Sequence, residues 1–155
     1  MVDIVDPKTR SRMMSGIRSK NTRPETLVRK RLHALGYRFR VHRRDLPGSP
    51  DIVFPRYNAA ILVNGCFWHG HGCRLFKWPK TRPEFWREKI LGNIQRDERK
   101  LSQLRDLGWR IGALWECEMR GASEDLLNTT IAKLADWLES DRTSLDLPHS
   151  CTQNV

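Results

Sequence analysis

Apolar side chains recur at helical spacing in three segments of the chain, and each segment predicts a helix. The first segment follows Thr22, the second follows Thr81, and the third begins at about Ser123. Thr22 and Thr81 are each followed three residues later by a glutamate, which is the spacing of a capping box. Both threonines are therefore predicted to cap the helices that follow them. The positions expected to face the core are Val28, Leu32 and Leu35, then Trp86, Ile90, Ile94, Leu101 and Leu104, and finally Leu127, Ile131, Leu134 and Leu138.

Four further segments have patterns typical of strands. Residues Tyr37–His42 alternate apolar and basic side chains, which predicts a half-buried strand with its arginines on the outer side. The apolar runs Asp51–Phe54 and Ala59–Val63 predict a hairpin, and Trp109–Trp115 predicts another strand. The predicted order is therefore helix, three strands, helix, strand, helix, which indicates the α/β class.

A chain of 155 residues is long enough for one domain with a real core. We predict that residues 22–139 form this domain. Residues 1–21 are polar and basic and are expected to be an arm that orders on its partner. Residues 140–155 are predicted to be a polar, frayed tail.

The charge balance narrows the class of partner. The formal net charge is +10 and the pI is near 10.0, which favours a polyanion, most commonly nucleic acid, over a basic surface that serves only solubility. No apolar run approaches the roughly 20 residues of a membrane span, and the first residues do not have the pattern of a signal peptide. We therefore expect a cytoplasmic protein with no membrane partner, whose cysteines stay reduced.

One loop concentrates metal-ligand chemistry. Cys66, His69, His71 and Cys73 lie within eight residues, and Cys117 follows another apolar segment. Structural zinc sites bind four ligands, often three cysteines and one histidine, so one imidazole is left for chemistry. We assign Cys66, His71, Cys73 and Cys117 to zinc. The alternative is that the cysteines are small buried side chains beside a solvent-facing histidine.

Four other groups are candidates for catalysis, each with a structural alternative. Asp51 begins a strand, where it could hold a divalent metal, although an aspartate at a turn is often a local hydrogen-bond acceptor. Asp97 falls on the apolar face of its helix, which suits either a functional role or a buried ion pair with an arginine. Glu25 is explained most simply as the capping partner of Thr22. His69 could take a proton from water, or it could be a second-choice zinc ligand or a surface histidine.

Aromatic residues near this loop are candidates for DNA contacts. Apolar side chains can enter a base stack as wedges. We single out Phe67 and Trp68 in the Gly-flanked loop, with Trp86 and Met14 near helix starts. Three other tryptophans are expected in the core, namely Trp109, Trp115 and Trp137.

Taken together, the segments resemble the very short patch repair endonucleases of the restriction-endonuclease-like superfamily. The resemblance runs from about Thr9 to Trp137, and its most specific part is Asn64–Cys73. The supporting segments are Leu46–Asp51, Arg82–Trp86, Arg96-Asp97, Leu107–Arg110 and Trp115–Cys117. The predicted order of helices and strands is also the core of that superfamily, so the resemblance implies a restriction-endonuclease-like fold with a structural zinc site and an N-terminal arm.

The resemblance implies a bacterial, nucleoid-associated enzyme that starts very short patch repair. Such enzymes nick DNA at T·G mismatches, which arise when 5-methylcytosine deaminates, on the 5′ side of the mismatched thymine and with Mg²⁺. It also implies a monomer whose partners are the mismatched duplex and mismatch-repair proteins.

The same resemblance implies a role for each candidate residue. Asp51 and the backbone carbonyl of Val63 would ligate Mg²⁺, His69 would activate the water, and Glu25 and Asp97 would support His69 or the metal-bound waters. The zinc ligands and the DNA wedge would be the residues already named, Phe67, Trp68 and Trp86 entering from one groove and Met14 from the other.

The chain departs from the family pattern at Asn64, where the family often has a histidine. The superfamily usually has an acidic-x-Lys triplet at this place, and this chain reads Leu62-Val-Asn64. Since asparagine is neither an acid nor a base at neutral pH, we expect Asn64 to orient a phosphate or a water in a slower enzyme. The alternatives are a restriction-type nuclease on matched or modified DNA, a zinc-stabilised DNA-binding module without catalysis, and a scaffold for repair proteins.

Overall fold

Five strands form one mixed sheet, and they lie side by side in the order in which they occur along the chain. The computed structural model describes residues 23–147, so Met14 and the predicted arm lie outside the described residues. The strands are β1 (Arg40–Val41), β2 (Ile52–Phe54), β3 (Ala59–Asn64), β4 (Arg110–Trp115) and β5 (Ser144–Leu147). The helices are α1 (Arg23–Ala34), α2 (Pro83–Asp106), α3 (Glu116–Met119) and α4 (Glu124–Glu139), and a single 3₁₀ turn (Pro55–Tyr57) joins β2 to β3.

The direction of the strands decides where the site is built. β1, β2 and β3 pair antiparallel, which confirms the predicted hairpin, whereas β3, β4 and β5 run parallel. Parallel neighbours need a crossover, which α2 supplies between β3 and β4. The register pairs Asn64 with Trp115, so the carboxyl ends of β3 and β4 meet at one edge of the sheet. The loop after Asn64 and the segment after Trp115 therefore emerge side by side.

The sheet buries a different apolar cluster on each face. α1 and α4 cover one face, where Val28, Leu32, Leu134 and Trp137 are buried against the strands. Gly112 in β4 permits this approach, since a Cβ there would lie 3.0 Å from the Trp137 ring. α2 covers the other face, and that cluster comprises Leu46, Val53, Ala60, Leu104 and Ile111. Helices cover both faces of the sheet, as is usual where strands run parallel, here β3, β4 and β5.

The strand predicted at Tyr37–His42 is mostly wrong. Only Arg40–Val41 pair with the sheet, and both residues are exposed because β1 is its edge. Tyr37 and Phe39 still pack on the core, although their backbone is irregular. The predicted alternation of inward and outward side chains is therefore correct, whereas the predicted strand is not. Leu35, predicted to be buried, is 58% exposed because α1 ends one residue earlier.

The predicted caps have different outcomes. α4 starts after Ser123, whose side chain accepts the Leu126 N–H at 3.2 Å, as the helix start predicted there requires. The capping box at Thr81 is wrong, because the residue before α2 is Arg82, in a left-handed conformation with φ 54° and without a side-chain cap. Thr22 lies outside the described residues.

The description of residues beyond Glu139 as polar and frayed is wrong for Ser144–Leu147. These residues form β5, parallel to β4, with Leu145 and Leu147 buried and the two polar residues exposed. Trp137 is fully buried as predicted, whereas Trp109 and Trp115 are only partly buried.

Candidate active site and Cys/His cluster

The four residues assigned to zinc come together at the edge where β3 and β4 end. The ligand atoms of Cys66, His71, Cys73 and Cys117, hereafter the Cys/His cluster, all lie within 4.8 Å of one another. Cys117 donates its backbone N–H to Cys66 Sγ at 3.3 Å, and its own Sγ lies 3.6 Å from His71 Nδ1. Three ligands are local in sequence, and the fourth arrives because the sheet register places the end of β4 beside the loop.

The protonation chemistry of the cluster fits a soft divalent cation. Burial raises the pKa of the Cys66 thiol to about 11, so without a cation this thiol stays protonated at neutral pH. Burial also lowers the pKa of His71, which favours the neutral imidazole that ligates metals. A bound cation would stabilise the thiolates in this buried setting, and three cysteines with one histidine is a usual zinc set.

The loop between Cys66 and Cys73 is fixed against α2. Gly70 has φ +62°, and a Cβ there would lie 2.7 Å from the Ile94 side chain, so only glycine allows this close approach. Asn93 of α2 donates to the backbone oxygen of Trp68 at 2.8 Å. On the β4 side, the His71 ring stacks on Trp115 at 4.1 Å with an interplanar angle of 8°.

This docking presents His69 to Asp97. His69 Nδ1 lies 2.5 Å from Asp97 Oδ2, and both side chains are about one-third exposed. The arginine ion pair considered for Asp97 is therefore not the contact that forms. Trp115 meets the His69 ring edge-on at 6.2 Å. Nδ1 faces a carboxylate, so it is the ring nitrogen that carries the proton, which leaves Nε2 as the acceptor.

Asp51 and Glu25 form an acidic pair beneath this loop. Asp51 Oδ2 accepts the backbone N–H of Val63 at 2.7 Å. Burial, reinforced by the charge of Glu25, raises the pKa of Asp51 to about 7, and the Val63 N–H and Arg29 only partly oppose this. Glu25 is 2% exposed and forms an ion pair with Arg29 at 2.7 Å, so it faces the interior beside Asp51.

These groups line one open cleft of about 1020 Å³, hereafter the carboxylate cleft. Its acidic, amide and imidazole side chains include Glu25, Asp51, Asn64, His69 and Asp97. Cationic side chains also line it, namely Arg44, Lys89 and Lys100. A cleft with clustered carboxylates and surrounding cations suits a metal and a phosphate backbone.

The aromatic residues singled out from the sequence form one cluster beside the cleft. Phe67 and Trp68 line it, and their ring centroids are 5.2 Å apart. Trp86 lies 5.4 Å from Phe67 and 6.0 Å from Trp68. We call these three the inner rings.

Sequence reasoning missed several residues of the site. Arg29 lies four residues after Glu25, a standard helical ion-pair spacing that could have been found. Trp115 directly precedes the segment of Cys117, but its stacking on His71 depends on the sheet register. His42 also lines the cleft, with φ 53°, and its Nε2 lies 3.4 Å from Nη2 of Arg29. No pattern in the sequence indicated this position.

The aromatic residues Phe76, Trp78 and Phe85, hereafter the outer rings, extend the inner cluster.

The known proteins similar to this chain are described as DNA mismatch endonucleases or as type II nicking enzymes. The family model described as DNA mismatch endonuclease Vsr matches residues 2–75. The type II nicking enzyme V.XorIIP of Xanthomonas oryzae is 53% identical over 119 residues, which are 77% of this chain and 88% of that protein. The DNA mismatch endonuclease Vsr of Escherichia coli is 41% identical over 147 residues, 95% of this chain and 94% of that protein. The type II nicking enzyme V.NmeAIP of Neisseria meningitidis is 38% identical over 138 residues, 88% of this chain and 99% of that protein.

Proposed function

The chain belongs to the Vsr family of DNA mismatch endonucleases and is a nicking endonuclease, and we propose that it cuts on the 5′ side of the thymine in a T·G mismatch. The reaction would depend on Mg²⁺ and would begin the very short patch repair of deaminated 5-methylcytosine. The observation that carries this proposal is the convergence of Glu25, Asp51, His69 and Asp97 in one cleft beside the inner rings.

Asp51 is proposed as the carboxylate ligand of Mg²⁺, with the backbone carbonyl of Val63 beside it. The fit is supported by the raised pKa of Asp51, because burial, reinforced by the charge of Glu25, disfavours its carboxylate form unless a cation is bound. Glu25, held by Arg29, would accept hydrogen bonds from metal-bound waters. Mg²⁺, when bound, neutralises charge on the phosphate and on the leaving oxygen.

His69 is proposed as the general base. Asp97 holds the Nδ1 proton, so Nε2 can take a proton from the attacking water. The resulting hydroxide attacks phosphorus, the bond from phosphorus to the leaving sugar oxygen breaks, and that oxygen takes a proton from solvent water to become a hydroxyl. Asp97 orients the ring and stabilises the imidazolium that forms, which makes it a positioning residue.

The Cys/His cluster is proposed as a structural zinc site. All four ligands would come from this chain, which is typical of a structural site, whereas catalytic zinc keeps a position open. Its role would be to fix the loop that carries His69 and the inner rings. The cluster contributes no group to the reaction itself.

The inner rings are proposed to wedge into the base stack at the mismatch. A T·G wobble pair is displaced into the grooves and stacks poorly, so unstacking it costs less free energy than unstacking a matched pair. Met14, on the other groove, remains part of the proposal although it lies outside the described residues. We further propose that the protein acts as a monomer in the bacterial cytoplasm, near the nucleoid and in contact with mismatch-repair proteins.

A nicking assay tests this function directly. End-labelled duplexes that differ only in T·G, T·A or C·G at one position are incubated with Mg²⁺ or EDTA, within a pool of flanking sequences. We expect one Mg²⁺-dependent cut 5′ to the mismatched thymine, and Asp51→Ala prepared identically controls for contaminating nucleases. Equal cutting of matched duplexes would instead indicate a restriction-type enzyme. Tight binding without cutting would indicate a DNA-binding module.

A further inference from the structure

Beyond the inner rings, the protein exposes two aromatic side chains that its own packing does not cover. Trp78 is 46% exposed and Phe85 is 45% exposed. Trp78 meets Phe76 edge-on at 5.0 Å, and Phe76 in turn lies 6.0 Å from Phe67. Phe85 meets Trp86 at 5.3 Å. Each exposed ring is therefore continuous with the inner rings, Trp78 through Phe76 and Phe85 through Trp86.

The exposed rings stand on a rigid support. The segment that carries Trp78 follows Cys73, a member of the Cys/His cluster. Arg74 fastens this segment by donating to the backbone oxygens of Cys117 at 3.2 Å and Arg120 at 2.8 Å. Phe85 lies in the first turn of α2. Rings held in this way lose little conformational freedom when they meet a partner.

The charges around the rings select the kind of partner. Residues 77–87 carry four exposed cationic side chains, Lys77, Lys80, Arg82 and Arg87, against one exposed carboxylate, Glu84. The Arg82 guanidinium lies 4.6 Å from the Phe85 ring centroid, so cation and ring form one surface. Aromatic rings interleaved with cations are the pattern that binds nucleic acid, because the rings contact bases and sugars while the cations contact phosphates.

We propose that Trp78 and Phe85 form an outer DNA contact, in which each ring binds the duplex that flanks the mismatch next to the wedge. The proposal rests on the proposed function, since the inner rings define where the wedge is. The outer contact adds affinity for the flanking duplex and takes no part in the reaction. It follows that the affinity contributed by each ring depends on the length of one duplex arm, the arm that the ring contacts.

Equilibrium binding without Mg²⁺ tests the proposal, using T·G duplexes that are shortened stepwise from either end. On a duplex with two long arms, we expect Trp78→Ala and Phe85→Ala each to raise Kd about five- to tenfold, as for truncation of an aromatic side chain at a binding interface. Trp78→Phe should recover most of the affinity, because a ring is retained. Leu126→Ala, which removes a 59% exposed leucine from α4, should leave Kd unchanged.

The length series gives the decisive outcome. When the arm on the contacted side is shortened, the wild-type protein should lose affinity and become equal to Trp78→Ala, whereas shortening the other arm should preserve the difference. An equal loss on every length, or no loss on the long duplex, would overturn the outer contact. Tm and zinc content of each variant, measured in parallel, exclude misfolding as the cause of a loss. Failure of the proposed function is distinguishable, because it would appear as absent T·G selectivity of the wild-type protein on long duplexes.

Discussion

The Cys/His cluster and the carboxylate cleft lie next to each other but are assembled in opposite ways. The cluster takes three of its four ligands from one eight-residue loop. The cleft takes its groups from α1, from the start of β2, from the loop and from α2. A local site of this kind needs a single long-range contact, while the cleft exists only when the whole domain is folded. We therefore propose that the cluster has an architectural role and that the cleft is the chemical centre.

The sharpest test of this division is Asp51→Asn. We expect nicking to fall at least about a thousandfold, roughly 4 kcal/mol in the activation free energy, because the proposed metal ligand is lost. Zinc content should stay at the wild-type level. The measurement is single-turnover nicking of a T·G duplex together with metal analysis. Asp45→Asn, which changes an exposed aspartate paired with Arg43, is the matched control. Retained nicking would remove Asp51 from the chemical centre.

Cys117→Ser tests the architectural side. Loss of the ligand that joins the loop to β4 should reduce bound zinc towards zero and lower Tm by roughly 10 °C. Activity should fall as a consequence, because His69 is carried by the same loop. Zinc analysis and thermal unfolding are the measurements, and Cys151→Ser provides the control at a cysteine outside the cluster. Unchanged zinc content in the Cys117 variant would exclude this residue from the site.

His69→Ala separates chemistry from support within a single loop. Nicking should fall about 10²–10⁴-fold, the usual contribution of a general base. Zinc content and mismatch affinity should stay within about twofold of the wild type, because His71, rather than His69, is the proposed zinc ligand. His33→Ala on the exposed surface of α1 is the control. A variant that cuts at the wild-type rate would reduce His69 to a bystander.

The pH dependence of metal binding should belong to the cleft. Since the pKa of Asp51 is raised to about 7, Mg²⁺ must displace a proton below that value, and its apparent affinity should fall about tenfold per pH unit. Without metal, the folded protein keeps the Asp51 proton up to about pH 7, whereas the unfolded chain loses it above about pH 4. The resulting stabilisation of the fold is complete below about pH 4 and is lost as the pH rises through 7. Asp51→Asn should therefore match or exceed the wild-type Tm at pH 8 when no Mg²⁺ is added and the zinc content of both proteins is equal. A wild type that stays more stable than the variant at pH 8 would contradict the buried acidic pair.

Asn64→His is the smallest change and asks whether the cleft lacks a second imidazole. The side chain lies at the end of β3 and lines the cleft. A histidine there could transfer a proton, so we expect the nicking rate to rise by about tenfold. Single-turnover rates at saturating Mg²⁺ measure this, with Asn64→Gln as the control that changes size without adding an acid or base. A slower Asn64→His enzyme would mean that the amide has its own positioning role.

Helices α1, α2 and α4, the hairpin and three of the four cluster residues were predictable because their signals are local. Apolar spacing located α2 and α4, and the surplus of cysteine and histidine within eight residues indicated the cluster. β5 carried a detectable signal in the alternation of Leu145 and Leu147, but four residues are too few to outweigh the polar surroundings. The capping box at Thr81 failed because Arg82 adopts a left-handed conformation before Pro83 and takes the cap position itself.

The cleft was predictable only in part, because its geometry depends on contacts between distant segments. The partner of Asp97 could not be predicted from the sequence, because the chain has many lysines and arginines that could pair with it. In the folded protein the partner is the imidazole of His69. Glu25 had an adequate local explanation as a capping residue, and only the folded chain brings it near Asp51. The outer rings were overlooked because exposure, which makes Trp78 and Phe85 unusual, is a property of the fold.

Anomalous diffraction from crystals of the protein bound to a T·G duplex, grown with Mn²⁺ in place of Mg²⁺, tests the division of labour most directly. Data collected at the zinc and manganese absorption edges distinguish the two ions. We predict a zinc peak enclosed by the Cys/His cluster and a manganese peak at the Asp51 carboxylate, next to the scissile phosphate. Zinc in the carboxylate cleft, or manganese bound away from Asp51, would contradict the account.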